Sequence, residues 1–169
     1  MNDTVIVGTI ATPAGAFGAV FSPQGLGRLT FSTEELAACE AWAQRWLPQA
    51  RVEHGGAQLD DLARQLIAYF EGRLRAFDIP LDLRGTPFQI AAWSALLEIG
   101  YGEVRTYSAH AAAIGRPQAI RAVGAANGAN PIPIIVPCHR LIGKNGSLIK
   151  YGGGLDVKRR LLEIEGVML

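Results

Sequence analysis

Ile134-Ile135-Val136-Pro137-Cys138-His139-Arg140 sets a thiol, an imidazole and a guanidinium side by side, directly behind an apolar run. The run reads as a short strand, and Pro137, with no N–H to give to a ladder, ends it. Consecutive strand residues point to opposite faces, so Cys138 and His139 cooperate only if Pro137 turns the chain into a loop or helical turn. A cysteine nucleophile works as the thiolate, and a neighbouring His, cation or helix N-terminus lowers its pKa from about 8.5. Two of those helpers are the next two residues. The stretch therefore predicts an acidified nucleophile displayed at the end of a strand.

Two short helices lie upstream of it. One runs from Ser108 to Ile114 and stops at Gly115; the other starts at Pro117 and runs to about Asn127, ended by Asn127-Gly128. Joined around Gly115-Arg116-Pro117 they carry a helix-turn-helix signature, a pattern that an ordinary αα-hairpin shares. On the second helix Ile120 and Val123 are expected to face the core. Gln118, Arg121 and Ala125 share another side at i, i+3 and i+7, beside Ala122 and Ala126. Arg121 thus stands on a surface of small residues, which lets a partner approach the backbone closely. Further upstream, Thr86-Pro87-Phe88-Gln89 opens a helix: Thr86 caps it, Pro87 suits the first position and Gln89 completes a capping box. Phe88, Trp93, Leu96 and Leu97 supply its buried face, and Gly100-Tyr101-Gly102 ends it.

The first half reads differently. Val5-Ile6-Val7, Ala19-Val20-Phe21 and Leu29-Thr30-Phe31 are β-prone runs punctuated by Pro13-Ala14-Gly15 and Pro23-Gln24-Gly25, a pattern of a small antiparallel sheet. Ser32 or Thr33 caps a helix through about Trp46, ended by Pro48. A second helix covers roughly Gln58 to Phe77, with Leu59, Leu62, Leu66, Tyr69 and Phe70 in one apolar stripe. Cys39 lies among Ala and Leu and is read as core packing. Phe77 to Gly85, interrupted by Pro80 and Gly85, is the expected linker, which divides the chain into residues 1–81 and 82–169.

At 169 residues, 49% hydrophobic and 18% charged, the chain has enough apolar surface for a core. Its two cysteines form no C-x-x-C, which fits a reducing compartment and a free thiol. Its first 25 residues show no signal-peptide pattern, and no apolar run approaches the ~20 residues that span a bilayer. A cytoplasmic protein is the expectation. His54, His110 and His139 do not join the cysteines at metal-ligand spacing, so no metal is expected. Residues 1–81 carry 6 Lys/Arg against 9 Asp/Glu, and residues 82–169 carry 10 against 6. A basic second half points to an anionic partner.

Pro137-Cys138-His139-Arg140 belongs with Val123-Gly124-Ala125-Ala126-Asn127 and Asn130-Pro131-Ile132-Pro133 upstream. Tyr151-Gly152-Gly153-Gly154 and Lys158-Arg159-Arg160-Leu161-Leu162-Glu163-Ile164-Glu165-Gly166 follow downstream. Without a gap from about Phe88 to Gly166, this set resembles the methylated-DNA–protein-cysteine methyltransferases, which repair 6-O-alkylguanine. The resemblance implies an α+β protein: an N-terminal ribonuclease-H-like α/β domain, then a mostly helical, winged helix-turn-helix-like domain. It implies direct, irreversible transfer of an alkyl group from 6-O-alkylguanine in double-stranded DNA to Cys138, after base flipping, with no cofactor and with the protein acting as a monomer. His139 would be the base, reaching the thiol through a water, and Glu165 its orienter. Asn130 would hold the turn around the cysteine, with Arg140 anchoring it. Tyr107 would hydrogen-bond the flipped base. Arg121 would fill the gap the base leaves, in the minor groove, with Tyr107, Ser108 and Arg116 also on the DNA. Tyr151, Gly152, Pro133 and Leu141 would form the alkylguanine pocket.

The chain departs from many of these relatives just before Tyr151, where a small pair, often Thr-Gly, is replaced by Ile149-Lys150. Ile149 is expected to narrow the rim, favouring methyl over benzyl-sized groups. Three rival readings are a non-catalytic binder of alkylated DNA, a cysteine hydrolase using Cys138, His139 and Glu165, and a regulator that senses alkylation. Cys138 argues against the first. In cysteine hydrolases the base usually comes from a distant part of the sequence, not the adjacent residue. The third would call for a further sensor or activation domain, which is not expected from these residues.

Overall fold

The structure, a computed structural model, describes residues 3–31 and 36–168. The chain divides into two compact units, Met1–Arg84 and Gly85–Leu169. Among the described residues no helix is long and apolar enough to cross a membrane.

The first unit is built on a sheet. Strands β1 (Thr4–Thr12), β2 (Gly15–Ser22) and β3 (Gly25–Thr30) form an antiparallel meander. The first turn is held by Thr12, whose hydroxyl donates to Gly15 O at 2.8 Å and accepts from Ala14 N at 3.1 Å. A fourth strand, β4 (Arg51–His54), pairs parallel with β1, giving the order β3-β2-β1-β4. The sheet is therefore mixed, not wholly antiparallel as the sequence suggests. Arg-Val-Glu-His carries no alternation, and Val52 is exposed, so only backbone pairing marks the strand.

Alternating residues of the sheet face two helices. Val5, Val7 and Val20 pack with Cys39, Trp42 and Ala43 of α1 (Ala37–Trp46). On the other face Phe70 of α2 (Ala57–Phe70) stacks on Phe17, with ring centroids 6.1 Å apart. Ser32 and Thr33, the expected caps of α1, lie outside the described residues. The apolar stripe of α2 is buried as its spacing predicts. The helix stops at Phe70, not Phe77, because Gly72 takes φ +74° and Arg73 N bonds back to Ala68 O.

The expected linker is fastened to this unit. Leu26 N donates to Pro80 O and Asp82 N to Leu26 O, both at 2.8 Å, so the segment runs along the edge of β3. Gly25 permits that approach: a side chain there would run into the Pro80 carbonyl. Asp82 is buried, accepts from Ser22 Oγ at 2.5 Å and pairs with Arg84, which also stands over the Trp42 ring.

The second unit is mostly helical. It comprises α3 (Pro87–Leu96), β5 (Arg105–Thr106), α4 (Tyr107–Ala113), α5 (Ile120–Gly128), a 3-10 turn (Cys138–Arg140), β6 (Leu141–Ile142) and α6 (Leu155–Ile164). Strands β5 and β6 pair in parallel. The capping box at Thr86 and Gln89 forms as predicted. Trp93 is buried and its indole N–H donates to Ala126 O at 2.8 Å, pinning α5 to α3. Leu97, expected in the same buried face, is 47% exposed because the helix has ended. Helix α5 starts at Ile120, three residues after Pro117. Ile120 is thereby exposed, and Ala126 turns inward.

Candidate active site

Ile134-Ile135-Val136 is not a strand. Residues 130–136 form a tight buried loop organised by Asn130, whose amide Nδ2 donates to Val136 O at 2.8 Å while its Oδ1 accepts from Ile132 N at 3.0 Å. Val136 N closes the loop on Ile132 O at 2.9 Å. At its tip Ile134 takes φ +75°, a strained setting for a β-branched residue that only a well-determined surround sustains. Pro137 then leads into the 3-10 turn that carries Cys138, His139 and Arg140.

The turn sends the three side chains apart. His139 is fully buried, and its Nε2 lies 2.5 Å from Glu165 Oε2. A carboxylate accepts, so Nε2 carries the proton and Nδ1 keeps its lone pair. That Nδ1 is buried without a hydrogen-bond partner among the described residues. Arg140 grips the same carboxylate, Nε to Oε1 at 2.8 Å and Nη2 to Oε2 at 3.2 Å, and donates from Nη1 to Ile99 O at 2.5 Å. Gly102 N supplies a further donor to Glu165 at 3.1 Å. Glu165, on a helix of charged residues, is thus a buried, multiply bonded anion. Burial holds His139 below the usual imidazole range, outweighing the Glu165 carboxylate, whose charge Arg140 already meets.

The thiol environment corrects the first expectation. Cys138 is 5% exposed, and burial pushes its thiol up, not down. His139 and Arg140 are committed to Glu165. What favours the thiolate against burial is hydrogen bonding from the side chains of Asn130 and Tyr151 and the charge of Lys158. Tyr107 lies close by: burial raises its hydroxyl, and the Asn127 side chain hydrogen-bonds to it. Asn127 Nδ2 also donates to the Cys138 carbonyl at 3.3 Å.

Tyr107, Asn127 and Tyr151 of this cluster line a cleft of about 1120 Å³ together with Ser108, Arg121 and Gly152 among others, while Cys138 itself stays buried behind them and does not line it. The exposed small face of α5, with Gly124, Ala125 and Gly128, forms one side, and Ile149 and Lys150 stand on another. Pro133 and Leu141, expected in the pocket, do not line it. Pro133 is bridged to Val136, and Leu141 is fully buried in β6. Arg116 is exposed outside the cleft. Sequence reasoning missed Asn127 and Lys158. For Lys158 a signal existed: with Leu161, Leu162 and Glu165 it occupies the i, i+3, i+4, i+7 face of α6 that the helix buries.

These features define a class: a two-unit α+β protein in which a helical unit sequesters one thiol beside a His–Glu–Arg array, beneath an open cleft. Residues 5–83 match the ribonuclease-like domain of 6-O-methylguanine DNA methyltransferase, and residues 87–167 match its DNA binding domain. The chain belongs to the 6-O-methylguanine DNA methyltransferase family. The methylated-DNA–protein-cysteine methyltransferase of Mycobacterium tuberculosis is 62% identical over 101 residues, 60% of this chain and 61% of that protein. Its Mycobacterium leprae counterpart is 55% identical over 120 residues, 71% of this chain and 69% of that protein. The crystal structure of Mycobacterium tuberculosis OGT in complex with DNA superposes with a TM-score of 0.80 at 44% identity, covering 95% of this chain and 92% of that one. The chain's match thus spans about three fifths of the length of the curated tuberculosis relative.

Proposed function

We propose that this protein repairs DNA by moving the alkyl group of 6-O-alkylguanine in a duplex onto Cys138, once per molecule and without a cofactor. The observation that carries this reading is the sequestered Cys138 thiol, set beside a histidine whose only free nitrogen is a buried lone pair and beneath a cleft that displays Arg121.

The 6-O position is stacked inside a duplex, so the base must be extruded, at a cost of a few kcal/mol. Arg121, on the exposed small face of α5, fills the gap. Tyr107, Tyr151 and Gly152 receive the base. The thiol proton passes to Nδ1 of His139 through a water, and Glu165 and Arg140 stabilise the imidazolium that results. The thiolate sulfur attacks the alkyl carbon, forming a C–S bond as the bond to the 6-oxygen breaks. The electron pair passes into the purine, and the Tyr107 hydroxyl neutralises the leaving guanine by hydrogen bonding or proton donation. The product thioether is inert to water, because its unactivated carbon–sulfur bond does not hydrolyse near neutral pH, so the reaction ends there. A raised thiol pKa suits such a protein: the resting cysteine is protonated and hidden, and reacts only slowly with stray electrophiles. Two free cysteines support a reducing compartment, the cytoplasm, and a monomer acting on double-stranded DNA completes the reading.

Intact-protein mass after mixing with an oligonucleotide duplex containing 6-O-methylguanine tests it. A gain of one methylene equivalent, mapped to Cys138 and absent in Cys138→Ala, is expected. Tight binding without a mass change would make the protein a non-catalytic binder of damage.

A further inference from the structure

Removing an ammonium from water is costly unless it is paired or well hydrogen-bonded. Lys158 of α6 is 0% exposed. Its Nζ donates to Leu141 O at 2.6 Å and to Ile149 O at 3.1 Å, and stands 5.9 Å from the Tyr107 ring centroid. Among the described residues it makes no ion pair with a carboxylate; Glu165, on the same helix, is held by Arg140 and His139. The groups that titrate around it are Cys138 and His139 from the 3-10 turn and Tyr107 from α4. Of these, Cys138 is coupled to it directly, the thiolate and the ammonium each favouring the charged form of the other.

The two carbonyls belong to segments with different duties. Leu141 follows directly on the turn that carries Cys138. Ile149 belongs to the segment that walls the cleft and leads to Tyr151 and Gly152. One cation therefore joins the strand behind the nucleophile to the wall in front of it, and a lysine, a compact point charge with three donors, suits that geometry.

We propose that Lys158 is a positioning residue for alkyl transfer: its ammonium clamps the cleft wall at Ile149 to the strand behind Cys138 and supplies the positive charge against which the thiolate forms. The proposal rests on the alkyl-transfer reading above. Burial draws Lys158 down to about 8, so the clamp is charged at neutral pH and weakens in mild alkali, where the neutral amine keeps two N–H donors but loses its charge.

Three measurements on the full chain test it: single-turnover methyl transfer, the pH dependence of Cys138 carbamidomethylation by iodoacetamide, and amide hydrogen exchange across residues 143–152. Lys158→Met keeps the volume and removes the charge. It is expected to lose at least about tenfold in rate at saturating DNA, the effect of about one pKa unit on the thiolate population. Half-saturation should change little. The iodoacetamide midpoint should rise, and residues 143–152 should exchange faster. Lys158→Arg, which restores the cation, should bring the midpoint back. In the wild-type protein, protection of 143–152, corrected for intrinsic exchange, should fall as pH rises through about 8. Unchanged midpoint and exchange in a folded Lys158→Met protein would overturn the clamp. Should that variant not fold, wild-type protection that ignores pH would overturn it equally. Methyl transfer by a wild type whose variant shows no shift removes the clamp alone, whereas both shifts in a protein that takes up no methyl remove the alkyl-transfer reading.

Discussion

Glu165 is the residue on which most of the site's charge converges. It takes hydrogen bonds from His139, Arg140 and Gly102, and among the described residues His139 and Arg140 form an ion pair with no other carboxylate. Replacing it with Gln leaves a buried guanidinium without its counter-charge, a change that costs about 3–5 kcal/mol. Glu165→Gln is therefore expected to lower the urea midpoint steeply and to slow methyl transfer, because an imidazolium at position 139 loses its stabiliser. Glu165→Gln with wild-type stability would mean that Arg140 finds water instead. His110 gives a second prediction at this scale. It is buried, with Nε2–H donating to Ala92 O at 2.9 Å and Arg105 Nη1 donating to Nδ1 at 3.0 Å, and burial holds its pKa below the usual value. The folded chain refuses a proton that the unfolded chain accepts below about pH 6.5. Stability is thus full above that pH and declines as pH falls, and His139, depressed in the same direction, adds to the decline. Urea midpoints measured from about pH 7.5 to about 5.5 should fall. His110→Gln should flatten the curve, and a curve it leaves unaltered would exclude His110 as a source.

Among the elements, those with their own chemical punctuation were legible in the sequence and those held by tertiary bonds were not. Thr86-Pro87-x-Gln89 starts α3 where its capping box forms, and the apolar stripe of α2 is the face that is buried. Ile134-Ile135-Val136 reads as a strand from its side chains, yet Asn130 captures its backbone and folds it into a loop. Pro117 suggests a helix start, but α5 begins three residues later and Ile120 changes from core to cleft rim. The segment before Tyr151 offers the test of a reading made from residues. Ile149 lines the cleft and is 43% exposed, with Lys150 beside it. A bulky rim should admit methyl more readily than benzyl. Ile149→Thr with Lys150→Gly is expected to raise the rate on a 6-O-benzylguanine substrate while leaving the methyl rate close to wild type. No gain on benzyl would show that the limit lies deeper, at Tyr107 or Tyr151.

Across the whole molecule, charge was read correctly in sign but not in place. Residues 82–169 carry the surplus of Lys and Arg, yet Lys158 and Arg140 are buried and Arg84 is paired with Asp82. The cations that remain on the cleft are Arg121, Lys144 and Lys150, with Arg116 exposed beyond it. Each phosphate neutralised contributes about −0.9 to the slope of log K against log salt. The slope for duplex binding should therefore be shallow, no steeper than about −4. Arg121 makes the sharper test, because its two possible duties have different salt signatures. If it held a phosphate, Arg121→Ala would reduce the slope by about 1. Placed in the gap left by the extruded base, it carries no phosphate. Its removal should then leave the slope intact, weaken transfer from a duplex and spare the reaction with free 6-O-benzylguanine base. A loss of rate on the free base as well would place Arg121 in the pocket chemistry and leave the filling of the gap to some other residue of α5.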